Sequence, residues 1–284
     1  MSRIAVIDIG SNSVRYMEAE RTEMSVLSLF KELKTTRLAE GQDALKALQP
    51  EPMRRTAKAV QEYAERAQKH GLPVFAYATS AVREASNQAA FLDLLNGAVP
   101  VTVLSGPEEG RMAYLGATGG SGTLIDIGGG SFQIVTESAS FSAPIGCVRF
   151  RDRFPDGTPA SLYAALRPWA DTFLSDVSPA ARPVTGVGGT VTTLGALLLG
   201  QTRYDGAALS SVRITPENLD TLLQTLFEMG DRRKEHPLLK ERHNVILQGG
   251  TILRYLMERL RIASLTPCDR DGMEGFALYG APIK

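Results

Sequence analysis

The sequence predicts an α/β protein made of two related halves, and two observations carry that prediction. Apolar strand-like runs alternate with amphipathic helical ones along most of the 284 residues, which is the pattern of α/β architecture. One short feature also occurs twice in the same register. The run Ala5-Val6-Ile7-Asp8-Ile9-Gly10-Ser11-Asn12-Ser13 is an apolar strand ending in Asp-Ile-Gly, two small or polar residues and Ser. Leu124-Ile125-Asp126-Ile127-Gly128-Gly129-Gly130-Ser131 does the same, with its Asp 118 residues further on. Each turn is followed by a second strand-like run, residues 14–20 and 132–137, so each half opens on a hairpin.

The remaining elements follow in order. Residues 52–70 place Ala57, Val60, Ala64 and Ala67 near helical spacing and stop at Gly71, as a helix end does. Residues 74–78 and 101–104 read as buried strands and 107–117 as a helix. In the second half, 159–177 reads as helix, 184–187 as strand, and 190–199 as a small-residue helix after a glycine turn. Residues 215–229 and 239–261 complete the helices. Residues 118–122, with three glycines, are the best domain boundary. The expected division is 1–119 and 120–270, with a C-terminal helix over 271–284 packing back on the first domain.

Composition excludes several classes. The chain holds 31 Lys+Arg against 31 Asp+Glu, and residues 1–120 alone hold 14 of each. Such balance is against binding a nucleic acid polymer through bulk charge. A hydrophobic content of 43% is enough to fill a core. No apolar run has membrane-spanning length and no signal-peptide core is present, so the chain reads as cytoplasmic, with no membrane partner. Two cysteines and three histidines are against a disulfide framework, a zinc site or a histidine triad. Arg outnumbers Lys 23 to 8. That suits bidentate phosphate contact, and a GC-rich genome explains it equally well.

Anionic chemistry is the reading the loops support. A Gly/Ser turn after a strand presents consecutive backbone N–H groups to an anion, and an Asp at the strand end can hold Mg²⁺ or orient water. Read alone, each turn is a weak signal better taken as an ordinary tight hairpin; two in register favour function. Gly186-Val187-Gly188-Gly189-Thr190 is a third turn, able to place a phosphate at a helix N-terminus, yet it is neither a Walker A loop nor a Rossmann fingerprint. Ser105, Pro107 and Glu108 form a helix start with a capping box, and Glu108 and Glu109 complement its dipole. Thr79, Ser80 and Arg83 follow a strand and offer two hydroxyls and a guanidinium to phosphate, or simply start a helix.

Taken in order, these segments resemble the exopolyphosphatase/guanosine pentaphosphate phosphatase (Ppx/GppA) family over nearly the whole chain. The matching stretches are Asp8 to Arg15, Arg37-Leu38-Ala39-Glu40-Gly41, Ala78 to Asn87, Ser105 to Glu109, Asp126 to Ser131 and Gly186 to Thr190. The resemblance implies a duplicated, ribonuclease H-like fold of the actin, sugar kinase and Hsp70 type with an interdomain cleft, in a short form without an added C-terminal helical domain. It implies Mg²⁺-dependent removal of terminal phosphate from polyphosphate or guanosine pentaphosphate, and a homodimer. By that match Glu109 would activate the attacking water, while Glu108 keeps its cap. Asp8 and Asp126 would hold Mg²⁺ or water. Ser11, Asn12, Ser13, Gly128, Gly129, Gly130 and Ser131 would cradle phosphates that Arg15 and Arg83 neutralise, with Arg149 a further cation.

Two positions depart from the family pattern. Where Glu commonly follows the Gly-Gly-Gly-Ser turn, this chain has Gln133, which keeps a carbonyl ligand for the metal but loses a charge. Gly-Leu-Arg-Glu-Gly is replaced by Asp271-Gly272-Met273-Glu274-Gly275. Three functions therefore compete: a phosphoanhydride hydrolase, an ATP-dependent kinase of the same fold, and a non-catalytic sensor of polyphosphate or an alarmone. Phosphate release without an acceptor marks the first, turnover of ATP only with an acceptor the second, and binding without turnover the third.

Overall fold

The computed structural model describes residues 1–23, 25–42, 46–95, 97–174 and 177–281. The chain divides into two compact units, Met1–Gly116 with Arg270–Lys284, and Ala117–Asp269.

In the first unit, β1 (Ser2–Ile9), β2 (Ser13–Arg21) and β3 (Val26–Thr35) form an antiparallel meander. Ile4 to Ile9 are all buried, as expected of a central strand covered on both faces. Helix α1 (Pro50–Lys69) starts on proline with Glu51 in its first turn and ends with Arg66 and Lys69 in its last, matching the helix dipole. Met53, Ala57, Val60, Ala64 and Ala67 form its buried stripe. The chain then enters β4 (Val74–Ala78), which pairs parallel to β1. The one-turn helix α2 (Ser80–Arg83) and α3 (Gln88–Leu95) precede β5 (Val101–Val103), parallel to β4. Helix α4 (Gly106–Thr118) follows. The sheet order is β3-β2-β1-β4-β5.

The second unit repeats this path. Strands β6 (Thr123–Ile127), β7 (Phe132–Val135) and β8 (Ser140–Ala143) are antiparallel. Helices α5 (Cys147–Arg153) and α6 (Pro159–Asp171) lead to β9 (Val184–Val187), parallel to β6. Helices α7 (Gly188–Leu198), α8 (Pro216–Met229) and α9 (Ile246–Arg259) precede β10 (Thr266–Pro267), parallel to β9. Read from β8, the order is that of the first sheet with each strand replaced by its counterpart. The core of this unit joins Ile125, Ile127, Phe132 and Ile134 of the sheet to Val191, Leu194, Leu223, Ile252 and Leu256 of the helices. Helix α10 (Gly272–Gly275) and a wider π turn, Phe276–Gly280, belong to the first unit. There Met273, Phe276 and Ala277 pack on Ile4, Val6, Met17 and Tyr77. The two mixed five-stranded sheets with helices are the duplicated α/β fold expected from the sequence.

Several element boundaries differ from expectation. Helix α6 stops at Asp171 rather than running to 177, and beyond it Arg259 of α9 donates to the Leu174 and Val177 carbonyls, which are thereby taken out of a helical ladder. Residues 175–176 of that expectation, and 282–284 of the C-terminal helix, lie outside the described residues. The helix expected from 239 begins only at Ile246. Before it the backbone makes i to i+3 turns, with Arg242 N donating to Leu239 and Val245 N to Arg242. Strands β3 and β8 and helices α3 and α5 carry no clear periodicity. β3, an edge strand, interleaves Ser28, Lys31, Glu32 and Lys34 with exposed Leu27 and Leu33. Among the described residues no helix is long and apolar enough to cross a membrane.

Candidate active site

The two Asp-Ile-Gly turns have the same geometry. Gly10 N donates to Ser13 O at 3.0 Å, and Gly128 N donates to Ser131 O at 2.9 Å. The hairpin register places Arg15 opposite Asp8 and Gln133 opposite Asp126. Within each unit these are equivalent positions, so the two halves differ at the residue facing each aspartate.

In the first unit, Ser11, Asn12, Ser13, Thr79 and Ser80 are all buried around the turn. Ser11 and Ser80 share a hydroxyl hydrogen bond of 3.0 Å, and Thr79 N donates to Ile9 O. The loop after β3 closes the turn from the other side, with Thr36 N and Arg37 N donating to Asn12 O, and Ala39 N to Ser11 O. Asp8 is buried, with Arg15 Nε donating to its Oδ2 at 2.8 Å and Arg15 Nη2 to the same oxygen. Arg15 Nη1 donates to Asp271 Oδ2. The guanidinium is thus occupied by two carboxylates of its own unit, and its expected phosphate contact would require it to exchange one of them. The other Asp8 oxygen, Oδ1, is buried and has no hydrogen-bond partner. Burial pushes the Asp8 carboxyl above its ordinary value, against the opposing pull of Arg15. Burial also works against the charge of Asp271, but Arg15 and Lys31 outweigh it and hold that carboxyl low.

Glu109 lies in the first turn of α4. The capping box is present: Ser105 N and Oγ donate to Glu108 Oε2 at 2.8 and 2.7 Å, and Glu108 N donates back to Ser105 Oγ at 3.3 Å. Glu108 is exposed and spent on the cap, which leaves Glu109 as the inward acid. Arg83 Nη1 donates to Glu109 Oε2 at 3.0 Å and to Leu104 O at 2.8 Å, so the guanidinium orients the carboxylate from a fixed backbone anchor. Tyr77, absent from the sequence expectations, links this pair to the Asp8 cluster. Its hydroxyl is pushed well above the ordinary value by burial, then by the charges of Asp8, Asp271 and Glu109.

In the second unit, Gly188 is the residue that brings the two glycine turns together. Its φ is +83°, and a Cβ there would lie 2.6 Å from Asp126 Oδ1 and 2.8 Å from Ile127 O. Only glycine lets α7 start against that carboxylate. Cys147 N and Val148 N donate to the Gly128 and Gly129 carbonyls at 3.0 and 2.8 Å, fixing the turn against α5. Gln133 and Ser131 are buried, and Gln133 Nε2 donates to Ser131 Oγ at 3.0 Å. Thr190 is buried against Gly249. The Arg242 guanidinium lies over Gly189, where a Cβ would stand 1.9 Å from its Nη2. Arg242 was hidden from sequence reasoning because its segment read as a continuous helix. Arg149, buried beside the turn, donates to Pro144 O at 3.4 Å.

These features define a duplicated α/β protein with an Asp-bearing glycine turn in each half. The Ppx/GppA phosphatase family model matches residues 6–280, and the chain belongs to that family, whose members are phosphoanhydride hydrolases. Exopolyphosphatase 2 of Mycobacterium tuberculosis (strain ATCC 25618 / H37Rv) is 33% identical over 98% of each chain. The crystal structure of an exopolyphosphatase-like protein has a TM-score of 0.87 and 25% identity, covering 98% of this chain and 97% of that one. The Ppx/GppA family member of Aquifex aeolicus has a TM-score of 0.79 and 27% identity over 98% and 97% of the chains.

Proposed function

We propose that the protein is an exopolyphosphatase that hydrolyses the terminal phosphoanhydride bond of inorganic polyphosphate, with guanosine pentaphosphate as a second substrate. The observation that carries this reading is the pairing of Glu109 with Arg83. It sets a carboxylate, held by an anchored guanidinium, in the unit that also holds the first anion turn. Glu109 takes the proton of the attacking water, and Arg83 keeps the carboxylate aimed. The turn N–H groups, Ser11, Ser13, Thr79, Ser80 and their counterparts Gly128 to Ser131 and Gly188 to Thr190 hold phosphate oxygens. Arg242, over Gly189, adds a cation. Positioning and charge stabilisation are most of what phosphoryl transfer needs.

The carboxylates fit a hard divalent cation. Asp8 Oδ1 is buried without a hydrogen-bond partner, and Gly188, with no Cβ, lets the start of α7 lie directly against Asp126 Oδ1. Among the described residues no three His, Cys, Asp or Glu side chains cluster as a metal cage, which suits Mg²⁺, usually held by one or two carboxylates and substrate phosphates. In the first unit Asp8 would be a ligand for it, and in the second Asp126 with the Gln133 carbonyl. When bound, it would neutralise the phosphate oxygens.

Phosphate release by the purified chain from long and short polyphosphate, guanosine pentaphosphate and ATP tests the reading. Release from polyphosphate without an acceptor is expected, with short chains relatively favoured because grip comes from local turns in a chain of zero net charge. Turnover of ATP only with an acceptor would replace the hydrolase with a kinase, and a steep salt dependence with high processivity would reveal a basic track.

Gln133 favours one second reading, a polyphosphate sensor, since the amide brings no charge to the Asp126 turn. Gln133→Glu decides its weight. Glutamate can accept the Ser131 hydroxyl in place of the present bond, so the turn should survive. The Mg²⁺ concentration for half-maximal phosphate release should fall, and an unchanged titration would remove Gln133 from the metal site.

A further inference from the structure

The aspartate at the start of α10 has no part in the chemistry described so far, yet it is bound to the group that holds Asp8. The geometry points to Asp271 as a positioning residue for Asp8, acting through the Arg15 guanidinium. This inference rests on Asp8 being the cation-facing carboxylate of the proposed function.

A guanidinium that pairs with one carboxylate alone places its parallel N–H groups on both oxygens. Arg15 does not. Its Nε and Nη2 converge on Oδ2 of Asp8, while Nη1 reaches Asp271 Oδ2. Being held at its far end by Asp271, the fork is turned so that Asp8 Oδ1 receives none of the Arg15 N–H groups. An unpartnered buried oxygen is costly, and a ligand that fills the position recovers that cost.

Asp271 is itself fixed by backbone. Its Oδ1 accepts from Met273 N at 3.0 Å, its N donates to Glu274 Oε2 at 2.9 Å, and Glu274 Oε1 pairs with Lys31 Nζ at 2.8 Å. Two glycines let this segment sit directly on α4. A Cβ on Gly275 would stand 1.8 Å from Met112 O, and one on Gly116 2.1 Å from Asp271 O. The cluster holds three acids (Asp8, Asp271, Glu274) and two bases (Arg15, Lys31). Asp8 Oδ1 is the buried oxygen of Asp8 left without a hydrogen-bond partner, and a hard cation is a matching partner for it.

The test is Mn²⁺ binding by the full chain, read by electron paramagnetic resonance, for wild type, Asp271→Asn, Arg15→Gln and the double variant, with phosphate release measured alongside. Asn keeps an oxygen for the Met273 N–H while removing the charge on Arg15; Asp271→Ser, also a capping residue, is measured with it in case Asn does not fold. Loss of the tether frees Arg15 to cover Oδ1, so Mn²⁺ affinity should fall about tenfold, the lower end of effects for partners of metal ligands. The kcat should fall in step with KM for polyphosphate changing less than about twofold. In the double variant the Asp271 change should add nothing to Arg15→Gln, since it acts only through that residue. Unchanged Mn²⁺ binding, independent effects in the double variant, or a wild type that binds no Mn²⁺ would overturn the inference. Expected Mn²⁺ results with no phosphate release would leave it standing and remove the hydrolase reading; release with independent effects would do the reverse.

Discussion

Glu109→Ala should lower phosphate release from polyphosphate by about 10²–10⁴-fold, the usual contribution of a positioned general base. Polymer binding should persist or tighten. The carboxylate lies in the first turn of α4 and is held by Arg83 at 3.0 Å. Its removal frees a guanidinium that remains anchored on Leu104 O, and a freed cation favours a polyanion. The cap at Ser105 and Glu108 does not use Glu109, so the helix should form and the melting temperature should move little. Binding is read by fluorescence anisotropy of end-labelled polyphosphate and turnover by phosphate release. A Glu109→Ala enzyme that turns over normally would place the base elsewhere.

The second large effect is expected at Gly188→Ala. The new methyl would meet Asp126 Oδ1 at 2.6 Å and Ile127 O at 2.8 Å, on a residue whose φ is +83°. Overpacking of this kind costs about 1–3 kcal/mol, and the left-handed backbone adds about 1–2 kcal/mol for any residue with a Cβ. Relief must come from moving the Asp126 turn or the start of α7. Either shift displaces phosphate-holding groups, and a displacement of about 1 Å is enough for a loss near 10²-fold in kcat/KM. Circular dichroism and thermal melting separate lost alignment from lost folding. A folded variant with wild-type kcat/KM would show that the Asp126 carboxylate and the third glycine turn need not be in register.

The duplicated fold and the elements that carry most of the candidate site were legible because their signals are local. An apolar run, an Asp and a glycine turn are adjacent in sequence, and Asp8 and Asp126 announce themselves by repetition. Ser105 and Glu108 are three residues apart, so their capping box could be read directly and the structure reproduces it. Contacts between distant segments were not legible. Asp271 meets Arg15 across 256 residues, and nothing near either residue signals the other. Arg242 reaches Gly189 because the backbone turns before α9, in a segment that reads from sequence as the start of one helix. Tyr77 looked like one more buried residue of a short strand, and its hydroxyl matters only because three acids surround it. Arg15 was expected on phosphate from the turn beside it; its two carboxylate partners could be seen only in three dimensions.

The most direct measurement is a time course of the wild-type chain with Mg²⁺ and polyphosphate of defined length, without an acceptor, following orthophosphate and residual chain length together. Orthophosphate rising in step with stepwise shortening from the chain end is the predicted result. Internal fragments, or bound polymer of unchanged length with no orthophosphate, would contradict the assignment.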